Sequence, residues 1–478
     1  MKLSGMIPLW DETVTDRRHT TASLSSEPPV KVGSVFVCDK PWEGSGSDFF
    51  NILKDDDRYR MYYLGWQATG GCGIHVCYAE SRDGLHWERP NLGLYEFEGS
   101  KDNNILFGPR DRAWDNFFVM KDENPACLPE EKYKATALWQ DDRGPRGYGL
   151  MCLVSSDGIH FKEKKVFSTD GVYDSVNTLH WSPYHKKYFC FYRSFHEKAD
   201  DPSSPFNETS VRDIHVIESA DFEHWSESEL FDFGGAEDYP LYTNCASLYP
   251  FDKRYFVGFP TRYVERRAWS KNFDRLSGKN FRLEHMKQAA RYGLAITDCV
   301  FMSSRDGHHW KRFDEAYLTP GPEHDYNWMY GDCYPAVGLI PTPGRFFGEE
   351  DELSMLVEAF HWDDRPTELI RYVTRKEGFA SYKAPYREKK LTTKVFTTDA
   401  DELHINFRTS ARGHIYIRVL NPDGTPVPGY DSGELFGDTT DRVADFDEPL
   451  SALRGKKLRL EFSMSDAALY SFTLKENN

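Results

Sequence analysis

The sequence predicts an all-β protein: a five-bladed β-propeller over residues 1–390, followed by a small β-sandwich over residues 391–478. Three observations predict it. A short turn motif recurs along the first part of the chain, runs of alternating apolar and polar residues lie between its copies, and aromatic residues make up 15% of the chain. Flat and β-branched side chains pack well on a pleated surface, so such an aromatic load favours strands.

The motif first reads Ser81-Arg-Asp83-Gly84-Leu-His-Trp87 and then Ser155-Ser-Asp157-Gly158-Ile-His-Phe161. It returns as Ser219-Ala-Asp221-Phe222-Glu-His-Trp225 and as Ser304-Arg-Asp306-Gly307-His-His-Trp310, with a worn fifth copy at Arg375-Lys-Glu-Gly378-Phe379-Ala-Ser381. Asp and Gly suit a tight hairpin turn, Ser and Asp side chains bond its backbone, and the closing aromatic fills the space between strands. Between copies lie strand-like runs, among them 58–66, 133–139, 187–193, 254–260 and 353–361. Five runs, each followed by a turn motif or its remnant, read as five four-stranded blades. The best helical segment, residues 272–291, is an insertion in the fourth blade. From about Thr392 the turn motif disappears, and short strands with turns at Asn421-Pro-Asp-Gly424 and Pro428-Gly429 suit a β-sandwich.

The formal charge of −17 argues against a nucleic-acid partner, which needs clustered Lys and Arg. No apolar stretch approaches the roughly 20 residues of a membrane span. The opening residues lack the apolar core of a secretory signal, so the expected compartment is the cytoplasm. The nine cysteines are odd in number and scattered without zinc spacing, which predicts buried, reduced thiols. The 16 histidines show no ligand spacing either, so no metal or cofactor is expected, although carboxylates in a funnel would suit a structural calcium ion. Assembly of identical copies is compatible with the sequence.

In a propeller the start of each innermost strand and the end of each second strand converge on one funnel. The strand starts supply Asp48, Asp115, Asp174, the neighbours Glu237 and Asp238, and Asp332. The second-strand ends add Trp66, Gln140, Arg193, Arg262, His361 and Trp362. Crowded carboxylates repel one another and raise at least one pKa, as a general acid requires. Arginine and aromatic residues beside them suit a polyhydroxylated ring, so the expected partner is a carbohydrate.

The order and spacing of Asp48, Asp174 and Glu237 resembles that of the five-bladed propeller glycosidases, the superfamily of fructan-cleaving family 32 and arabinan- and xylan-cleaving family 43. The turn motif is similar to the Asp-box of sialidases. The resemblance covers roughly residues 33–384, and the C-terminal sandwich has a counterpart in family 32. It implies hydrolysis of small oligosaccharides or glycosides, including furanosides such as fructosides or arabinosides. Glu237 would protonate the leaving oxygen and Asp48 would act on the anomeric carbon. Asp174 would hold ring hydroxyls or tune the acid, while Trp66, Asp115, Arg193, Asp238, Arg262, Asp332 and His361 would bind substrate. The fructosidase signatures are replaced by Ser-Asp-Phe-Phe, Tyr-Asp-Ser-Val and Glu-Asp-Tyr-Pro, so the resemblance names no substrate. Two other readings share the fold: a glycan phosphorylase, with Arg193 and Arg262 for phosphate, and a propeller that binds carbohydrate or protein without catalysis.

Overall fold

Four-stranded antiparallel sheets follow one another along the chain in the computed structural model, which describes residues 1–67, 73–109, 114–140, 147–346, 348–361 and 365–477. The first sheet comprises Asp48–Asp55, Arg58–Gly65, His75–Ser81 and Ile105–Phe107. The second comprises Phe118–Lys121, Tyr133–Gln140, Tyr148–Ser155 and Lys162–Ser168. The third comprises Thr178–Ser182, Lys187–Glu197, Ser210–Ser219 and Glu229–Leu230. In the fourth, Ser247–Leu248, Phe256–Gly258, Met302–Ser304 and Trp310–Arg312 pair in that order, and the middle hairpin continues as Thr261–Glu265 against Ala295–Cys299. The expected helical insertion lies there, reduced to two short helices, Lys279–His285 and Arg291–Leu294.

The fifth blade is built from both ends of the propeller sequence. Ile340–Thr342, Glu352–Ala359 and Glu368–Arg375 take the three inner places, and the early strand Val30–Val37 pairs with Glu368–Arg375 as the outermost strand. This pairing joins the last blade to the segment that leads into the first and closes the ring. It also explains the worn fifth motif. In four blades the turn carries the third strand into the fourth. In the fifth, the fourth strand arrives from elsewhere, and Arg375–Ser381 instead leads into Ala380–Ala384, which pairs with Ser23–Ser26 and the long C-terminal strand.

At the axis the inner strands bind each other in parallel. The Ile52 amide donates to the Val337 carbonyl at 2.7 Å, the Val337 amide donates to Phe50 at 2.8 Å, and the Asn51 side-chain oxygen accepts the Val119 amide at 2.8 Å. A cavity of about 190 Å³ is lined by Asn51, Met120, His180, Leu248 and Gly338, one from each inner strand or its continuation.

The turn motif has the expected geometry in all four full copies. In the second, Ser155 Oγ accepts the Gly158 amide at 2.9 Å, and Asp157 Oδ1 accepts the amides of Ile159 and His160 at 2.8 and 2.9 Å. The other Asp157 oxygen meets His160 Nδ1 at 2.7 Å. Glycine is favoured at the fourth position by φ values of 74°, 76° and 81° at Gly84, Gly158 and Gly307. In the third copy Phe222 adopts φ 66° instead, and its buried ring packs 5.0 Å from Tyr188.

The chain divides into two compact units, and the cut is not the single one at residue 390 that the sequence suggested. One unit is Val30–Thr342 with Ser354–Val373; the other is Met1–Pro29 with Pro343–Leu353 and Thr374–Asn478. In the second unit the long strands Glu402–Leu420 and Arg459–Lys475 pair along their length, with register breaks between Asn406 and Phe407 and between Thr409 and His414. One half of this ladder is flanked by Gly5–Pro8 and Asp438–Val443, the other by Lys389–Thr392 and Pro426–Asp431. Ile405, Phe407, Ile415, Ile417, Phe462 and Phe472 from both halves share one apolar core, as in a β-sandwich. The described cysteines carry free thiols, all but Cys127 buried. Among the described residues no helix is long and apolar enough to cross a membrane.

The turn motif makes a stability prediction. Burial works to raise the Asp306 pKa, but the amides of His309 and His308 outweigh it and bring the group to about 2. A depressed carboxylate stabilises the fold above its unfolded pKa of about 4 and loses that contribution as pH falls through its folded value. Asp306→Ala is therefore expected to cost about 1 kcal/mol near pH 7, with water screening the exposed side. Urea melts should show that gap closing as pH approaches 2.

Candidate active site

Four residues in or just ahead of the inner strands are kinked. Phe49, Asn116, Cys245 and Cys333 adopt left-handed backbone, with φ of 51°, 55°, 40° and 58°. In the first blade the kink coincides with a break of register between Asp48 and Asn51. Such bulges re-aim the neighbouring side chain and end the regular pairing, and the strain of a left-handed non-glycine residue is characteristic of functional positions. Three kinks follow an acid directly: Asp48, Asp115 and Asp332. In the fourth blade the residue before the kink is Asn244, whose side chain is engaged by the carbonyls of Val176 and Phe191.

Asp48, Asp115 and Asp174 converge, and Glu358 joins them from the second strand of the fifth blade. Asp48 is 6% exposed. Burial and the neighbouring Asp115 push its pKa well above the carboxylate range; the Trp66 indole N–H opposes the shift, and Asp174 adds to it. Glu358 is raised in the same way, by burial and then by Asp48, although the amides of Phe49 and Phe50 donate to it. Half-buried Asp115 is pushed up to about 6 by burial and Asp174, against a 2.8 Å bond from the Asn116 amide. Asp174 is exposed, and Arg193, itself buried, lies 3.2 Å from its carboxylate and donates to its backbone carbonyl at 2.5 Å. Like charges in a confined, partly dry site cannot all ionise together, so the group keeps a proton where isolated carboxyls would have none.

Trp66 and His361 shape this group. A Cβ at Gly46 would lie 2.8 Å from the Trp66 ring, and the Gly46 amide donates to the Trp66 carbonyl at 3.0 Å. The indole thus fits beside Asp48 only because Gly44 and Gly46 lack side chains, since a Cβ at Gly44 would lie 2.3 Å from the Trp66 carbonyl oxygen. His361 Nδ1 donates to the Ser47 carbonyl at 3.3 Å and lies 4.0 Å from Glu358 Oε2. Burial pushes its pKa down to about 3, so the ring is neutral.

The remaining expected residues do not join the acids. Glu237 is exposed, and its contribution is a backbone carbonyl that accepts a hydrogen bond from Arg312. The sequence placed it at the funnel because it precedes the fourth inner strand, but Tyr242 is the residue there that meets Arg193. Asp238 bonds His196 Nε2 at 3.0 Å, while Asp213 approaches Nδ1 at 3.1 Å. These three form the one described cluster with metal-ligand spacing. Arg262 is held by its cross-strand partner Asp298 at 2.5 and 2.7 Å, which makes it a brace of the fourth blade. Asp332 accepts the Met329 amide at 2.8 Å within its own turn. Trp362 lies outside the described residues. Glu358 was missed, although it stands three positions before His361 at the end of a strand already identified. An isolated Glu in an apolar run, Leu-Val-Glu-Ala-Phe, was the available signal.

No family model matches the chain. It is 28% identical over 116 residues to the uncharacterized protein Rv1502 of Mycobacterium tuberculosis, a match over 23% of this chain and 32% of that protein. The chain thus spans about a third of the length of the curated relatives it matches. Among solved structures it is similar to an N-acetylgalactosamine deacetylase from F. plautii, with 13% identity, TM-score 0.46, and 74% and 96% of the two chains covered. It is similar to a fructofuranosidase from Schwanniomyces occidentalis, with 12% identity, TM-score 0.40, and 96% and 99% covered. An endo-arabinase from Bacteroides thetaiotaomicron overlaps at 11% identity and TM-score 0.39, with 74% and 99% covered. The five blades stand on the strand pairing of this chain.

The raised pKa of Asp115 carries a stability cost with a defined sign. A carboxyl raised from about 4 to about 6 on folding favours the fold at low pH and opposes it as pH rises through 6. Asp115→Asn is expected to leave Tm unchanged near pH 4 and to stabilise by about 1–2 kcal/mol near pH 8, read by calorimetry.

Proposed function

We infer that this chain is a glycoside hydrolase whose acid–base chemistry is divided among Asp48, Asp115 and Asp174. The observation that carries the reading is the convergence of these carboxyls with Glu358 in a funnel where burial and repulsion grade their protonation. Asp115, at about 6, both holds and releases a proton near neutral pH, which suits the general acid expected earlier of Glu237. Asp174 reaches the solvent and carries its charge against Arg193, so it is the carboxylate available to the anomeric carbon or to an attacking water. Asp48 lies deepest, and in its protonated form it donates a hydrogen bond to a sugar oxygen at the floor. Trp66 supplies a flat face for the ring beside it, and Glu358 acts on Asp48 from behind.

The chemistry follows from these roles. Asp115 delivers its proton to the leaving glycosidic oxygen as the bond to the anomeric carbon breaks. The same residue, now ionised, takes a proton from water in the second half of a retaining reaction; in an inverting one, Asp174 takes it directly. Proton NMR of the first-formed anomer distinguishes the two.

A panel of aryl furanosides and pyranosides tests the reading. One glycoside should be cleaved, and Asp115→Asn and Asp174→Asn should each lower kcat by about 10²–10⁴-fold. For the wild type, kcat/KM should fall as pH rises through about 6 as free Asp115 loses its proton. Full activity in Asp115→Asn would refute the assignment.

A further inference from the structure

Beside the acids lies a group of three arginines, of which the hydrolytic roles use only Arg193. In the third blade Phe195 pairs with Arg212 and Arg193 pairs with Ile214, which puts both arginines on one face of the sheet. The Arg193 guanidinium lies 4.7 Å from the Phe195 ring and 5.9 Å from Tyr242. That of Arg212 lies 4.0 Å from the Tyr263 ring and 6.0 Å from the same Tyr242. A third cation, Arg291, comes from the fourth-blade insertion, 4.7 Å over Tyr292 and donating to its hydroxyl at 3.2 Å. Tyr330 joins these rings, with centroids 5.7, 5.8 and 5.9 Å from Tyr292, Tyr263 and Tyr242.

The charges here are unbalanced. Arg193 has Asp174, but among the described residues neither Arg212 nor Arg291 has a carboxylate partner. Nε of Arg193 and Nε of Arg212 are buried without a hydrogen-bond partner. Burial, and to a lesser degree the nearby Arg212, pull the Arg193 pKa down. Aromatic faces offset part of the cost of holding guanidinium groups together, but they leave the donors unsatisfied. In a chain of net charge −17, a local excess of cations at the edge of the acid group calls for an anion.

We propose that the funnel takes an anionic sugar, whose carboxylate is bound by Arg212 and Arg291 across the tyrosine faces while its ring meets the acids. This rests on the glycoside hydrolase reading and narrows its substrate class to uronic acid glycosides. A planar guanidinium fork matches a carboxylate in two-point contact, and the tyrosine faces exclude water around it.

The test is calorimetric titration of the full chain with matched pairs, glucuronate against glucose and galacturonate against galactose, and with inorganic phosphate alone. For one pair the uronate should bind at least about tenfold more tightly, the scale of one charge-assisted contact. Asp115→Asn should keep that preference, and Arg212→Met and Arg291→Met should each bring the pair within about twofold. Arg212→Lys, which retains the charge, should keep part of the preference and separates loss of charge from loss of folding. Equal affinities within both pairs overturn the proposal, as does a preference unchanged in both methionine variants. Phosphate binding more tightly than either uronate also overturns it, assigning the cations to a free anion. Because the readout is binding, failure of the hydrolase reading shows separately, as uronate preference without hydrolysis of any glycoside.

Discussion

The pairing of Val30–Val37 with Glu368–Arg375 is the constraint on which the acid group depends. An open row of blades would let each inner strand adjust on its own. Closure forces the inner strands of the fifth, first and second blades into direct contact, through Val337, Phe50, Asn51 and Val119. Once those strands are locked, their starting residues have nowhere to diverge. Asp48, Asp115 and Asp174 then face one another at a cost that ring closure and the blade cores must cover. Glu358 is part of the same constraint, since its carboxylate is bound by the amides of Phe49 and Phe50 across the seam between last and first blades.

Electrostatics grades the group with depth. At the floor, burial and mutual repulsion push the pKa values of Asp48 and Glu358 well above the carboxylate range. Half-way, Asp115 titrates near 6. At the mouth, Asp174 meets both water and Arg193. A funnel with protons at the bottom and charge at the rim has donors and acceptors already in place before any sugar arrives, which is what preorganised catalysis requires. The tyrosine and arginine cluster extends the gradient past Asp174 to positive charge.

Much of this was legible in the residues. The four Ser-x-Asp turns announce four hairpins because each side chain has a bond to make there, and Asp48, Asp115 and Asp174 are found by their places at strand starts. The ring closure was not legible, since Val30–Val37 carries no motif and its partner lies more than 300 residues away. The worn fifth turn was its one trace. Glu237 misled because the fourth inner strand begins later than its loop suggests, past Tyr242 and Asn244. Glu358 stayed hidden because a single acid in an apolar strand has no local partner; its partners are amides from another blade. Arg262 read as a funnel residue, but its partner Asp298 comes from across the hairpin.

The most direct test of the account is a carboxyl ¹³C NMR titration of the protein labelled at aspartate. The account predicts an aspartate that titrates near 6, disappears in Asp115→Asn, and moves down in Asp174→Asn when the neighbouring charge is removed. If every aspartate titrates in the ordinary range near 4, or if the elevated one is indifferent to Asp174, the carboxyls do not share a site and the acid-group account fails.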